Sequence, residues 1–233
     1  MTSTKTARIV GALFILATVA GSISALGILD PILTAPDYLV KFSENETMVI
    51  VGAILDLIGA GAFVGVAIAI FPIFKKHDEN IALGYVIARS FEAVPFVVAN
   101  IILLGLLTLS QEYVKAGVPE ASYFLPSGTG LLAAYDWSQL IGPRILAGLA
   151  ALPFNYLLYR SKLIPRFISV WGLVGATGSV AAGLLNMFGL DPWSTVSGLL
   201  IGPHALNEMF LALWLVVKGF NSSATASESA KQT

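Results

Sequence analysis

The sequence predicts an all-α, polytopic membrane protein, a six-transmembrane-helix bundle with both termini cytoplasmic. Three observations predict it. Of 233 residues, 56% are hydrophobic, only 12% are charged and mean hydropathy is +0.82, whereas soluble domains carry roughly 25% charge. Apolar stretches of about 20 residues, the length that crosses a bilayer, recur six times along the chain. Lys and Arg also fall unevenly on the connections. Lys5, Arg8, Lys75, Lys76, Arg160, Lys162, Arg166, Lys218 and Lys231 lie on one side and only Lys41 and Lys115 on the other, which by the positive-inside rule makes the first side cytoplasmic.

The transmembrane domain covers residues 1–220. Its first span, 7–29, follows Lys5 and Arg8 and ends near the small residues Ala20, Gly21 and Ser22. That pattern is shared with signal peptides, but the apolar run exceeds their roughly 7–15 residues, so it reads as a retained anchor. The loop around Pro31 and Pro36 through Glu46 faces outside. The second span, 47–74, carries Gly59, Ala60, Gly61, Gly65 and Ala67, a small-residue stripe of the kind that lets membrane helices approach closely. The third, 81–110, holds Arg89 and Glu92. Gln111–Gly130, with Pro119, Pro126, Ser127, Gly128 and Gly130, reads as the longest non-helical stretch, either a lid or re-entrant turn or a plain connector. The fourth span is 131–159. The fifth, 165–189, has a second stripe at Gly172, Gly175, Gly178 and Gly183, and the sixth is 196–219. Trp137, Trp171, Trp193 and Trp214 fall near interfacial positions. The polar, Ser/Ala-rich tail 221–233 reads as disordered.

Leu140-Ile141-Gly142-Pro143-Arg144 in the fourth span and Leu200-Ile201-Gly202-Pro203-His204 in the sixth share a motif, a hint that the two positions correspond. Gly-Pro either kinks a continuous helix and frees a carbonyl or begins the true transmembrane helix with Pro in its first turn. The kink is the preferred reading.

Ionisable residues inside spans are Asp56, Arg89, Glu92, Asp136, Arg144, His204 and Glu208. Each charge costs about 2.5–3.5 kcal/mol at a helix centre on insertion scales, so these side chains are expected to converge on one polar pocket between spans two, three, four and six. Arg89 and Glu92, at i and i+3, can neutralise each other on one helix face. Arg144 can pair across helices with Asp136, Glu92 or Glu208. Four acids against two arginines leave an excess of carboxylate to be protonated, solvated, paired with His204 or bound to a cation. Asn100, Asn155, Asn186, Asn207, Gln139, Tyr85, Tyr135 and Tyr156 add polar groups, most of them expected to serve helix-to-helix hydrogen bonds.

Several chemistries are excluded. Without cysteine there is no disulfide, thiolate nucleophile, iron–sulfur cluster or cysteine zinc site. A net charge of −1 supplies no basic field for nucleic acid. No phosphate-cradling loop and no Ser/His/Asp arrangement is visible, and the span interiors hold no lysine for a Schiff base. His204 and Glu208, at i and i+4, are the weak metal candidates. A divalent metal would require Glu92 or Asp56 as a third ligand, and the other histidine, His77, lies in a cytoplasmic turn, which removes bis-histidine haem. No cofactor is assigned.

Ala7-Arg8-Ile9-Val10-Gly11, Arg89 with Glu92, Leu163-Ile164-Pro165-Arg166 followed by Trp171-Gly172-Leu173, and Glu208 followed by Leu213-Trp214-Leu215-Val216-Val217-Lys218-Gly219-Phe220 together resemble a bacterial membrane family known as domain of unknown function 4386. The likeness spans essentially the whole chain except the tail. It implies a prokaryotic six-helix integral membrane protein in the inner (plasma) membrane and draws attention to Arg8, Arg89, Glu92, Arg166 and Glu208. It carries no assigned activity, so no catalytic residue is transferred. The expected partners are the lipid bilayer and a small-molecule or ion ligand, with no nucleic acid. The residues favour binding or translocation of a small solute or protons, with Glu92 and Glu208 titrating and Arg89 and Arg144 as counter-charges or anchors for an anion. The alternatives are an intramembrane enzyme on a lipid-like substrate using His204 and Glu208, and a non-catalytic structural or sensor subunit whose charges only hold helices together.

Overall fold

A computed structural model describes residues 3–117 and 123–221. Among these there is no strand, and six helices are long and apolar enough to cross a membrane: this is a multi-pass, all-α membrane protein. The first comprises α1 (Ser3–Ser22), a π-helical segment Ile23–Leu29 and α2 (Asp30–Leu33); a short α3 (Tyr38–Glu44) follows. Then come α4 (Glu46–Phe74) and α5 (Glu79–Ala116). α6 (Phe124–Leu140) continues through a π-helical segment, Ile141–Leu146, into α7 (Ala147–Ser161), and α8 (Arg166–Met187) and α9 (Thr195–Val217) complete the bundle. Large apolar side chains such as Ile68, Ile101, Val174 and Leu199 face outward, as a lipid solvent requires.

The six long helices form a closed ring in chain order. α1 packs on α4, α4 on α5, α5 on the α6–α7 helix, α7 on α8, α8 on α9, and α9 returns to α1. Close approach depends on small residues. A methyl group on Gly175 would lie 2.8 Å from the His204 backbone and one on Gly178 2.5 Å from the Leu200 carbonyl oxygen, so α8 and α9 touch backbone to backbone. Gly59 meets the Ala17 carbonyl and Gly11 that of Ala212 in the same way.

Two apolar cores fill the ring. At the end bearing the termini, all six long helices contribute to one that includes Phe14, Val66, Phe74, Tyr85, Phe154, Ile168 and Leu215. At the opposite end the core draws only on the first four spans and α3, through Leu29, Phe42, Val49, Leu103 and Phe124. The last two helices are missing from that core, and the turn between them forms one wall of the cavity described below.

Three expectations need correction. Gln111–Gly130 is largely helical where described: α5 runs to Ala116 and α6 begins at Phe124. Pro126 is accommodated because it stands in the first turn, where backbone N–H groups have no helical partner. Ser127 and Thr129 bond the carbonyls of Tyr123 and Leu125, four residues back. Pro119 lies outside the described residues. The segment between the first two long helices is also helical in part, since α3 buries Leu39 and Phe42 and the Ser110 hydroxyl donates to the Leu39 carbonyl. Finally, Asn221, placed in the tail, is tied down: its backbone N–H donates to the Leu163 carbonyl at 2.8 Å and its side chain to that of Lys162 at 2.7 Å. The rest of that tail, with Lys231, lies outside the described residues.

Both Gly-Pro sites lie inside continuous helices, Pro143 within the π-helical segment and Pro203 within α9, whose N-cap is Ser194. Neither begins a helix.

Candidate functional site

The seven ionisable residues do not share one pocket. Four of them, from α5 and α9, form a packed cluster inside the ring. Helical spacing brings Arg89 and Glu92 to one face of α5, and Arg89 Nη1 donates to the two Glu92 oxygens at 3.0 and 2.8 Å. Its Nη2 reaches across the ring to Glu208 Oε1 at 3.0 Å and its Nε to the Tyr85 hydroxyl at 3.3 Å. The guanidinium also lies 4.7 Å from the Phe63 ring centroid and 5.8 Å from that of Phe14, a favourable setting for a desolvated cation. Arg89 is 1% exposed and Glu92 2%. On α9, His204 Nε2 stands 3.9 Å from Glu208 Oε1, and neither ring nitrogen has a hydrogen-bond partner although the residue is buried.

Charge counting defines what this cluster can do. One guanidinium faces two carboxylates, so with His204 neutral the group carries −1 in a nearly water-free interior. A proton on His204 or on a carboxylate brings the sum to zero, and an uncompensated buried charge is what such an interior disfavours most. As a metal site the cluster is poor: both Glu92 oxygens are committed to Arg89, and Asp56 lies elsewhere. Among the described residues no three His, Asp or Glu side chains converge as ligands.

Asp136 and Arg144 belong to a second place, a cavity of about 790 Å³ at the end away from the termini. Its walls come from the Ala25–Thr34 stretch, from the α6–α7 helix between Leu132 and Arg144, and from the α8–α9 turn. Contrary to the expected pairing with Glu92, Glu208 or Asp136, Arg144 makes no ion pair among the described residues. Its Nη1 donates to Asn186 Oδ1 at 2.6 Å and, at 3.4 Å, to the Pro192 carbonyl. Asn186 is itself held: its amide donates to the Leu190 carbonyl and to the Ser197 hydroxyl. An acid was the anticipated partner because charge is legible in a sequence, whereas a neutral amide 42 residues away is not.

The two places are neighbours. Leu140, Pro143 and Arg144 form part of the cavity wall, and a methyl on Gly142 between them would lie 3.0 Å from Pro95 and 3.7 Å from the Glu92 carbonyl oxygen. On α8, Ser179 donates to the Arg144 carbonyl at 2.8 Å; Gly175, which touches His204, lies one turn, about 6 Å, further along. The helix that lines the cavity thus packs against the backbone of α5 and α8 beside the charged cluster.

Asp56 stands apart on α4. It is buried with Oδ2 unpartnered, close to the Ser24 hydroxyl and an electrostatic neighbour of Tyr135 in the cavity wall. Of the other polar residues, Asn207 on α9 donates to the Ile168 carbonyl of α8, the helix-to-helix role anticipated, whereas Asn155 bonds only the Ala151 carbonyl one turn back in its own helix. Asp30 and Asp191, both cavity-lining, were missed because they lie at span ends. Their shared signal is Asp followed by Pro at the outer end of a helix.

Residues 9–219 match the family described as domain of unknown function (DUF4386), and the chain belongs to it. No curated protein and no solved structure matches the chain.

Proposed function

We propose that this DUF4386 protein is a solute-binding protein of the prokaryotic inner membrane, of the transporter class, with its termini in the cytoplasm. The nine-to-two distribution of Lys and Arg supports the orientation, and it turns the cavity toward the outside. The solute occupies the cavity; the Arg89–Glu92–Glu208–His204 cluster holds the proton whose binding or release accompanies occupation. One observation carries this reading: the α6–α7 helix that lines the cavity packs at Gly142 against Glu92, part of a largely buried group in which one guanidinium faces two carboxylates. The titratable and charged groups there are Tyr85, Arg89 and Glu92 from α5 and His204 and Glu208 from α9. Against them α1, α4 and α8 place Phe14, Phe63 and Gly175.

The test is proton movement in proteoliposomes loaded with a pH dye, with candidate solutes added outside. Solute-dependent proton flux that is lost in Glu208→Gln and His204→Ala, both still folded, is the expected outcome. Flux unchanged by both substitutions, or none with any solute class, contradicts it. A second reading, acid–base chemistry on a lipid-like substrate, is favoured by the two unpartnered His204 nitrogens; it requires a chemically altered product that disappears in His204→Ala.

A further inference from the structure

The cavity contains both signs of charge, unpaired. Arg144 lines it with Asp30, Asp136 and Asp191, yet no ion pair joins the arginine to any of the three. Among the described residues its hydrogen bonds go through Nη1 alone, to the buried Asn186 and to Pro192, so Nη2 and Nε are unspent. Among the described residues no hydrogen bond is made by the Asp136 carboxylate, which stands two turns, about 12 Å, nearer the mouth on the same helix. Gln139 Oε1 between them is buried with no partner. A positive and a negative group held in one cavity and kept from neutralising each other favour a guest bringing both charges in reverse order. The volume, about 790 Å³, is of drug-sized range, far more than a bare zwitterion fills. Leu26, Leu29 and Trp193 on its walls offer the remainder to hydrocarbon.

We infer that the cavity is a site for an amphipathic zwitterion, its oxyanion seated on Arg144, its ammonium group at the acids nearer the mouth and its apolar body along the leucine and tryptophan wall. This inference rests on the proposed solute-binding reading and names the solute's chemistry. The shared chemistry, oxyanion plus ammonium, is offered both by a phosphoethanolamine lipid headgroup and by a water-soluble zwitterion.

The experiment is a thermal-shift titration of the full chain in dodecyl maltoside. Four probes are used: lysophosphatidylethanolamine, dodecyl phosphate, dodecylammonium and free phosphoethanolamine. Lysophosphatidylethanolamine is expected to raise Tm by about 2–4 °C or more at saturation, well above either singly charged amphipath. That shift is lost in Arg144→Gln and in Asp136→Asn, and Arg144→Lys serves if the glutamine variant fails to fold. A shift only with the chain-bearing probe supports the inference and assigns a membrane lipid; an equal shift with free phosphoethanolamine shows that the apolar wall contributes nothing and overturns the amphipathic assignment. If a singly charged amphipath stabilises as strongly, and Ala133→Trp, which fills the cavity, abolishes the effect, the zwitterion assignment falls and solute binding stands. If no probe distinguishes Ala133→Trp from the unsubstituted protein, both fall.

Discussion

Arg89 is the residue on which the interior depends. It gives three nitrogens to Glu92, Glu208 and Tyr85, and removing one partner from a buried ionic group typically costs about 3–5 kcal/mol because the other charge is left uncompensated. Arg89→Gln is therefore expected to lower unfolding stability by about that amount, measured by chemical denaturation in detergent. The double variant Arg89→Gln/Glu92→Gln removes one of the stranded carboxylates and recovers part of the loss; a double variant no better than the single contradicts the ionic account. The Arg89–Glu92 contact was legible in the sequence because i,i+3 spacing dictates a shared helix face. The Glu208 contact has no such spacing, and the sequence offered Arg144 rather than Arg89 as its partner; the Asn186 hold on Arg144 had no charge to announce it.

At the scale of elements, the glycine stripes identify which helices touch. The α8–α9 contact at Gly175 leaves no room for a side chain, since even a methyl would lie 2.8 Å from the His204 backbone. Gly175→Val should cost at least the 1–3 kcal/mol or so of core overpacking and displace His204 from Glu208. Gly61→Ala, whose methyl meets nothing within 4 Å, should be tolerated. Equal loss in the two variants, by thermal unfolding, would contradict the packing scheme. Apolar run length made the six long helices legible, because a bilayer leaves few alternatives to a helix. The outer helices were not: Pro126, Ser127, Gly128 and Gly130 have the composition of a loop, and a proline in a first helical turn reads like one in a turn unless the helix start is already known.

At the scale of the molecule, ring closure of α9 on α1 sets the geometry. No local pattern encodes that closure, and the cavity has no sequence signature at all because its walls come from separate stretches of the chain. The sequence reading gathered seven ionisable residues into one pocket on the ground that charge avoids lipid. The fold instead satisfies that demand in two places and leaves Asp56 beside them. The separation matters for the proposed function, in which the cavity gives access from outside and the charged cluster stores the proton.

Substituted-cysteine labelling tests this most directly, and a chain without cysteine gives it no background. With a membrane-impermeant thiol reagent applied to intact cells, Asp136→Cys and Asp191→Cys are expected to react from outside. Asn207→Cys, buried beside the cluster, stays unlabelled from either side, and Lys218→Cys reacts only after the membrane is opened. Labelling of Asn207→Cys as fast as Asp136→Cys, or protection of both cavity positions from the outside reagent, would contradict an outward cavity above a closed charged core.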